Sequence, residues 1–323
     1  MNKGLRMVLL LVAAVAVILI SAMAYLHFRG LPVYEVEKIH FDTSVKDAAS
    51  LAKGEKIAAV QCVVCHMGSD GKLSGRKITE LPEIFGEVYS ANITHSKTHG
   101  IGNWTDEQLV YFLRTGVKPS GTFSPIMPKY PRLSDDDLRG IITFLRSENP
   151  VVQSSEIASV PSHYSLMTKF LSQTDNFRKV DYPKSSVETP DSNDAAAFGR
   201  YLVCARYDCF PCHSADFKSM DMQTPEHSGG YLGGGNAMVT AAGNLIYTAN
   251  ITCDESTGIG KWTETDFANA MRKSISKNQR QLRMPMPAYN AMTDAEIHAI
   301  WTYLHSVPAL KNEVNRQWDK EEL

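Results

Sequence analysis

Cys62-Val63-Val64-Cys65-His66 recurs in pattern as Cys209-Phe210-Pro211-Cys212-His213. C-x-x-C-H is the attachment signature of a c-type haem. Two thiols three residues apart on a helical turn reach one porphyrin edge and add to its vinyl groups. The adjacent histidine is then held under the iron. On this reading Cys62, Cys65, Cys209 and Cys212 tether two haems, and His66 and His213 supply the proximal nitrogens. A single copy of so short a pattern arises by chance; two copies, each inside a matching context, carry weight.

The matching context is an internal repeat. Ala91-Asn92-Ile93-Thr94, Gly100-Ile101-Gly102 and Trp104-Thr105 return 158 residues later as Ala249-Asn250-Ile251-Thr252, Gly258-Ile259-Gly260 and Trp262-Thr263. The haem motifs are offset by only 147, so the second half carries eleven extra residues between motif and repeat. The glycine-rich stretch at Gly229-Gly230 and Gly233-Gly234-Gly235 marks that insertion as a surface loop.

Helix signals follow the same plan. Thr105-x-x-Gln108, Ser134-x-x-Asp137, Thr263-x-x-Asp266 and Thr293-x-x-Glu296 read as helix starts, with the Gln and Glu examples as full capping boxes. The last helix of each half has an apolar stripe at i, i+3, i+4, i+7: Leu138, Ile141, Ile142 and Leu145, then Ile297, Ile300, Trp301 and Leu304. Further helices precede the haem motifs, over Ala48 to Gln61 and Ala195 to Cys204. No alternating strand pattern stands out. The prediction is an all-α chain with two tandem haem domains, residues 48–147 and 191–310. Residues 31–47 and 148–190 read as linkers, the second with a short helix near Tyr164 to Leu171, and 311–323 as a polar tail.

Residues 1–30 read as a membrane anchor or a signal peptide. Met7 to Leu26 carries no charge, and twenty residues at ~1.5 Å each match a ~30 Å hydrocarbon layer. Lys3 and Arg6 keep the amino end cytoplasmic and put the haem domains on the periplasmic or outer side of a bacterial cytoplasmic membrane. Ala22-Met23-Ala24 resembles a signal cleavage site, but the apolar run is long for a signal core. In an exported chain, Cys204 and Cys253 pair as a disulfide or remain two separate thiols. With 43% apolar residues, 21% charged residues and a formal net charge of −2, nothing in the composition points to nucleic acid.

The sixth iron position separates a carrier from an enzyme. A methionine there raises the reduction potential and blocks small ligands, whereas an empty position permits catalysis. Met127-Pro128 precedes the last helix of the first half; Met284-Pro285-Met286-Pro287 offers two candidates in the second. Met127 stands seven residues before Ser134 and Met286 seven before Thr293, so the repeat favours Met286. His95 and His99 compete in the first half, but Cys253 and Thr257 replace them in the second. His298 and His305 read as solvated, and Trp104 and Trp262 as core or haem-edge packing.

Each half resembles a class I cytochrome c domain, with Gly54 and Gly199 at the small position where that family's first and last helices cross. Asn-Ile-Thr, Gly-Ile-Gly-x-Trp-Thr and Met-Pro-x-Pro-x-Tyr together resemble the cytochrome c subunits of membrane-bound bacterial dehydrogenases. That resemblance covers roughly residues 48 to 310 without the linker. It implies Met284 as the second haem's ligand, against the repeat, and Met284 is the preferred reading with Met286 kept open. It also implies three haems in many members, where two motifs stand here. The function expected is a membrane-tethered dihaem electron carrier of a respiratory chain. Its partners are a dehydrogenase, a quinol-oxidising complex or a terminal oxidase. A dihaem cytochrome c peroxidase or thiosulfate dehydrogenase is the competing class, and zinc held by the C-x-x-C pairs is the poorest reading.

Overall fold

The computed structural model describes residues 2–174, 177–240 and 243–315. It is mostly helical. In chain order its elements are α1 (Lys3–Arg29), α2 (Ala48–Gln61), α3 (Val63–His66), β1 (Gly86–Glu87), α4 (Asp106–Thr115), α5 (Asp135–Leu145), β2 (His163–Tyr164) and α6 (Leu166–Leu171). There follow α7 (Ala195–Tyr201), α8 (Phe210–His213), β3 (Ala237–Val239), β4 (Leu245–Tyr247), α9 (Glu264–Lys273) and α10 (Asp294–Ser306). Most of the predicted polar tail, residues 316–323, lies outside the described residues.

No described residue of α1 is fully buried, and its mean hydropathy reaches 2.9 over an 18-residue window. It is long and apolar enough to cross a membrane. The helix runs unbroken through Ala22-Met23-Ala24 to Arg29, where Gly30 ends it with a φ of 71°.

The two halves repeat one arrangement. α2 crosses α5, and α7 crosses α10. Each crossing closes on backbone: a Cβ on Gly54 would overlap the Gly140 carbonyl, and one on Gly199 the Ala299 carbonyl. α5 and α10 turn their predicted stripes inward, with Leu138, Ile142, Ile300 and Leu304 almost wholly buried. The helix starts fall where the capping signals placed them. Gln108, Asp266 and Glu296 each close a full box with the capping threonine. Ser134 caps α5, but the Asp137 carboxylate is turned elsewhere.

Three features depart from expectation. The helix predicted over Ala195 to Cys204 is α-helical only to Tyr201 and then widens into a π turn over Leu202–Arg206. Ten residues separate Gly199 from Cys209, against eight from Gly54 to Cys62. Both ends are pinned, so the extra two are absorbed by the wider turn and by Asp208 at a φ of 50°. Two short antiparallel pairs also interrupt the all-α plan: Gly86 opposite Tyr164, and Ala237 to Val239 against Tyr247 to Leu245. Thirdly, the inserted segment is no surface loop. It falls between His213 and Gly234; there Leu232 is fully buried, and Met220 and Met222 pack on the core.

Most buried hydrophobic side chains form one cluster running through both halves, from Phe41 to Leu304, and a smaller one gathers Tyr111, Val117 and Phe123. Residues 31–47 reach both. Tyr34 N–H donates to the Gly121 carbonyl at 2.9 Å, and Phe41 is buried. The segment after α5 folds back on the first half, where Val152 is buried and its carbonyl accepts from His95 N–H at 2.8 Å.

Replacing Gly199 by Val puts branched carbons against the α10 backbone. The expected cost is ~3 kcal/mol, the upper end of overpacking. Thermal or denaturant unfolding checks it.

Candidate haem-binding site

Each C-x-x-C-H motif occupies one short helical turn, α3 or α8. In both, the histidine is held by the same backbone atom of the repeat. His66 Nδ1 lies 2.7 Å from the Ala91 carbonyl oxygen, and His213 Nδ1 2.8 Å from that of Ala249. A carbonyl can only accept, so Nδ1 carries the proton and Nε2 is the nitrogen that bears a lone pair. Burial lowers the His66 pKa despite its hydrogen bond to Ala91, which favours the neutral ring that binds metal. This outer contact fixes tautomer and ring direction together.

The Ala-Asn-Ile-Thr repeat therefore has a task that its pattern alone did not disclose. Asn92 Oδ1 accepts from Thr94 N–H at 2.9 Å and from its hydroxyl at 2.6 Å; Asn250 does the same to Thr252 at 2.9 and 2.7 Å. These bonds curl the chain so that the preceding alanine carbonyl faces the histidine. Gly75 and Gly234, both at positive φ, lie under it and donate to the His66 and His213 carbonyls at 2.9 and 2.7 Å. A side chain at either glycine would collide with the strand that carries the alanine.

The methionines separate by packing. Met127 and Met286 are partly buried and pack on the core cluster, whereas Met284 is 42% exposed. Tertiary register agrees with this. Tyr130, three residues after Met127, donates its N–H to the Leu113 carbonyl at 2.8 Å; Tyr289, three after Met286, donates to Met271 at 2.7 Å. Leu113 and Met271 sit at corresponding places on α4 and α9. Met286 thus occupies the position of Met127.

Of the two competing histidines, His95 is engaged elsewhere by its ring, and His99 is held through its backbone, with its N–H on Ser96 Oγ at 3.2 Å. His95 Nε2 meets the Leu145 carbonyl at 2.8 Å, at the end of α5. Its counterpart Cys253 donates its thiol to Leu304, at the end of α10, at 3.3 Å. His298 is exposed beside Glu264, and His305 is exposed against Trp301. Trp104 packs edge-on against Phe112 at 5.6 Å. Cys204 and Cys253 are both free thiols, so the disulfide alternative is not realised; Cys204 Sγ instead lies 3.0 Å from the Tyr231 hydroxyl.

The start of one motif faces the start of the other. Gln61, next to Cys62, donates its amide to the Arg206 carbonyl at 2.9 Å, and Tyr130 donates its hydroxyl to Gln61 at 3.3 Å. Arg132 of the first half donates to the Cys204 carbonyl at 2.7 Å and to Met222 of the inserted segment. Burial pushes the Cys62 thiol up to about 12, with a further push from Cys65. Burial, Asp208 and then Cys65 push Cys212 up to about 12 as well. Among the described residues no group of three or more His, Cys, Asp or Glu is placed to hold a metal ion, which removes the zinc reading.

Behind this contact is a buried charge network that sequence reasoning missed. The Arg206 guanidinium donates to Asp137 of α5 at 2.6 and 3.0 Å and to Glu296 of α10 at 3.1 Å. Lys56 of α2 pairs with the other Glu296 oxygen. Tyr201 donates to Asp137 and Tyr207 to Glu296, at 2.5 and 2.9 Å. Burial raises the Glu296 pKa, but the Lys56 contact and the Thr293 N–H outweigh it, so the net shift is downward.

Residues 49–145 match the family model of cytochrome c oxidase, cbb3-type, subunit III. They are a cytochrome c domain. That family implies covalently bound haem c, and the chemistry of two thiols and an oriented imidazole on one turn fits it. The chain is homologous to cytochrome c subunits of dehydrogenases. It is 33% identical over 273 residues to the fructose dehydrogenase cytochrome subunit of Gluconobacter japonicus, covering 80% of this chain and 53% of that one. It is 28% identical over 277 residues to the cytochrome c subunit of the quinone alcohol dehydrogenase of Gluconobacter oxydans, covering 82% and 56%. The gluconate 2-dehydrogenase cytochrome c subunit of Pantoea cypripedii matches at 29% over 269 residues, covering 80% and 57%. The chain spans about half the length of these curated relatives.

Replacing Arg206 by Met leaves two buried carboxylates short of their guanidinium. The expected destabilisation is ~3–5 kcal/mol, read by denaturant melts, well above that of an exposed pair such as Lys77–Glu87. The lowered Glu296 pKa means that its contribution is present above about 4.3 and is lost as pH falls through the folded value. Acid melts of the native chain are therefore expected to weaken in that window, and an E296Q chain to show a flatter acid limb.

Proposed function

We propose that the chain is a membrane-tethered dihaem cytochrome c that takes electrons from a dehydrogenase and passes them to an acceptor of the respiratory chain. The observation that carries this is the repeated site. In each half an oriented proximal histidine is accompanied by a core-packed methionine in the same tertiary register. The domains are residues 48–147 and 191–310, two tandem class I cytochrome c domains sharing one core. α1 is the retained anchor, with Lys3 and Arg6 on the cytoplasmic side and the haem domains on the periplasmic side of a bacterial membrane. Homology to dehydrogenase cytochrome subunits supports the choice of electron donor. A quinol-oxidising complex or a terminal oxidase is the acceptor class.

In this reading Cys62 and Cys65, and likewise Cys209 and Cys212, hold a haem through thioether bonds. His66 and His213 would each supply a nitrogen to the iron, and Met127 and Met286 a sulfur. The bound haem supplies the one-electron chemistry. The chain holds ligand geometry fixed between oxidation states: Ala91 and Ala249 lock the imidazoles, while packing confines each methionine. Thioether ligation raises the potential and closes the distal side to small molecules, which suits a carrier rather than a peroxidase. Tunnelling falls steeply with distance, so the facing motif starts at Gln61 and Arg206 favour electron exchange within the chain.

Denaturing mass spectrometry and the pyridine haemochrome assay are expected to give two haems per chain, and a C209A/C212A chain one. Met286→His is expected to lower one haem potential by roughly 100 mV or more, within the ~0.8 V that axial ligation spans, and to remove one methionine-to-iron charge-transfer band. Met284→Leu is expected to leave both unchanged. The reverse outcome assigns the ligand to Met284.

A further inference from the structure

α1 does more than tether the haem-bearing body. Its last turn is seated on that body: α6 packs against α1, and the Lys169 ammonium donates to the His27 carbonyl at 3.4 Å. Only four residues separate Arg29 from Tyr34, whose N–H is already bonded to Gly121 at 2.9 Å. The five steps from Arg29 to Tyr34 reach ~18 Å at most. A body tied that closely to a spanning helix has one face against the bilayer, and that face includes α6.

The chemistry of α6 suits this placement. Thr168 and Ser172 point inward and are fully buried. The Ser165 hydroxyl donates to the Ile84 carbonyl at 2.5 Å and the Thr168 hydroxyl to Phe85 at 2.9 Å, which fixes the Glu83–Phe85 turn beside the helix. The outward side presents Leu166, Met167, Phe170 and Ile84, 40 to 52% exposed. Phe28, one residue beyond His27, is 86% exposed. Rigidly held apolar side chains grouped in this way mark an interaction surface.

We propose that the patch formed by Ile84, Leu166, Met167 and Phe170 lies in the headgroup–acyl boundary of the membrane, a second, in-plane contact beside the spanning helix. It rests on the reading of α1 as a retained anchor. Lys169 stands on α6 beside the patch and reaches the end of α1 at His27, where Arg29 adds a second cation, as basic residues do that face anionic headgroups while their stems lie along the acyl edge. Tyr25, under the Arg29 guanidinium at 5.7 Å, and Phe28 bring aromatic rings to the same level. The contact restrains how the haem domains tilt over the membrane, which spanning by a single helix leaves free.

The test uses the full haem-loaded chain in nanodiscs of mixed zwitterionic and anionic phospholipid carrying a tail diazirine. Photolysis and peptide mass spectrometry then locate the adducts. Adducts are expected on α1 and on the peptides holding Ile84 and Leu166 to Phe170, with none at Leu245, an equally exposed apolar residue of the second half. An M167E/F170E chain is expected to lose at least tenfold of the α6 adducts while α1 labelling and haem absorption stay unchanged. Adducts confined to α1 overturn the proposal and leave the anchor reading standing. A chain recovered without α1 and without adducts overturns both. Labelling of the patch that a co-purified dehydrogenase abolishes assigns it to a protein partner and also overturns the proposal.

Discussion

The arrangement of the two halves depends on one guanidinium. Arg206 stands between a carboxylate of α5 and a carboxylate of α10, so a single cation belongs to both halves at once. Asp137 is fully buried and Glu296 nearly so. Charges this deep are tolerated only when every partner is in place, and the two tyrosine hydroxyls, Lys56 and the Thr293 cap complete the set. Such a network tolerates little sliding or rotation of one half over the other. The facing of the motif starts at Gln61 and Arg206 follows from it.

The π turn is what puts Arg206 there. Had the stretch from Gly199 to Cys209 been as short as its counterpart, an ordinary helix would have joined crossing to motif, as α2 does. Two more residues between fixed ends force the backbone to widen, and Arg206 leaves that widened turn toward Asp137. In the first half the corresponding stretch ends in Gln61, whose neutral amide meets the Arg206 carbonyl. The repeat is thus broken where the halves must recognise each other and kept where each must orient a histidine. The inserted segment departs from the repeat too, and its contacts reach across to Arg132.

Much of the candidate site was legible because its chemistry is local. Cys-x-x-Cys-His is one turn of chain, a capping threonine sees only its N3 residue, and the stripes of α5 and α10 follow from helical period. The purpose of Ala-Asn-Ile-Thr was not legible, since the feature that matters is a carbonyl, which every residue carries. Its aim is set by the Asn92 and Asn250 side chains and by glycines distant in sequence. Between Met284 and Met286 the sequence reading leans to Met284 on resemblance; packing favours Met286 instead, because only that side of the loop faces the core.

The sequence by itself determined the haem chemistry, the helical plan of each half, the repeat and the apolar first helix. All of these are written in residues within a turn or two of one another. Tertiary structure alone decided that both halves share one core, that Cys204 and Cys253 stay apart, and that Asp137 serves an interface instead of its own cap. The reason is physical. Pairing across 69 residues, as between Asp137 and Arg206, leaves no trace in spacing or periodicity, and exists only once the chain has closed on itself.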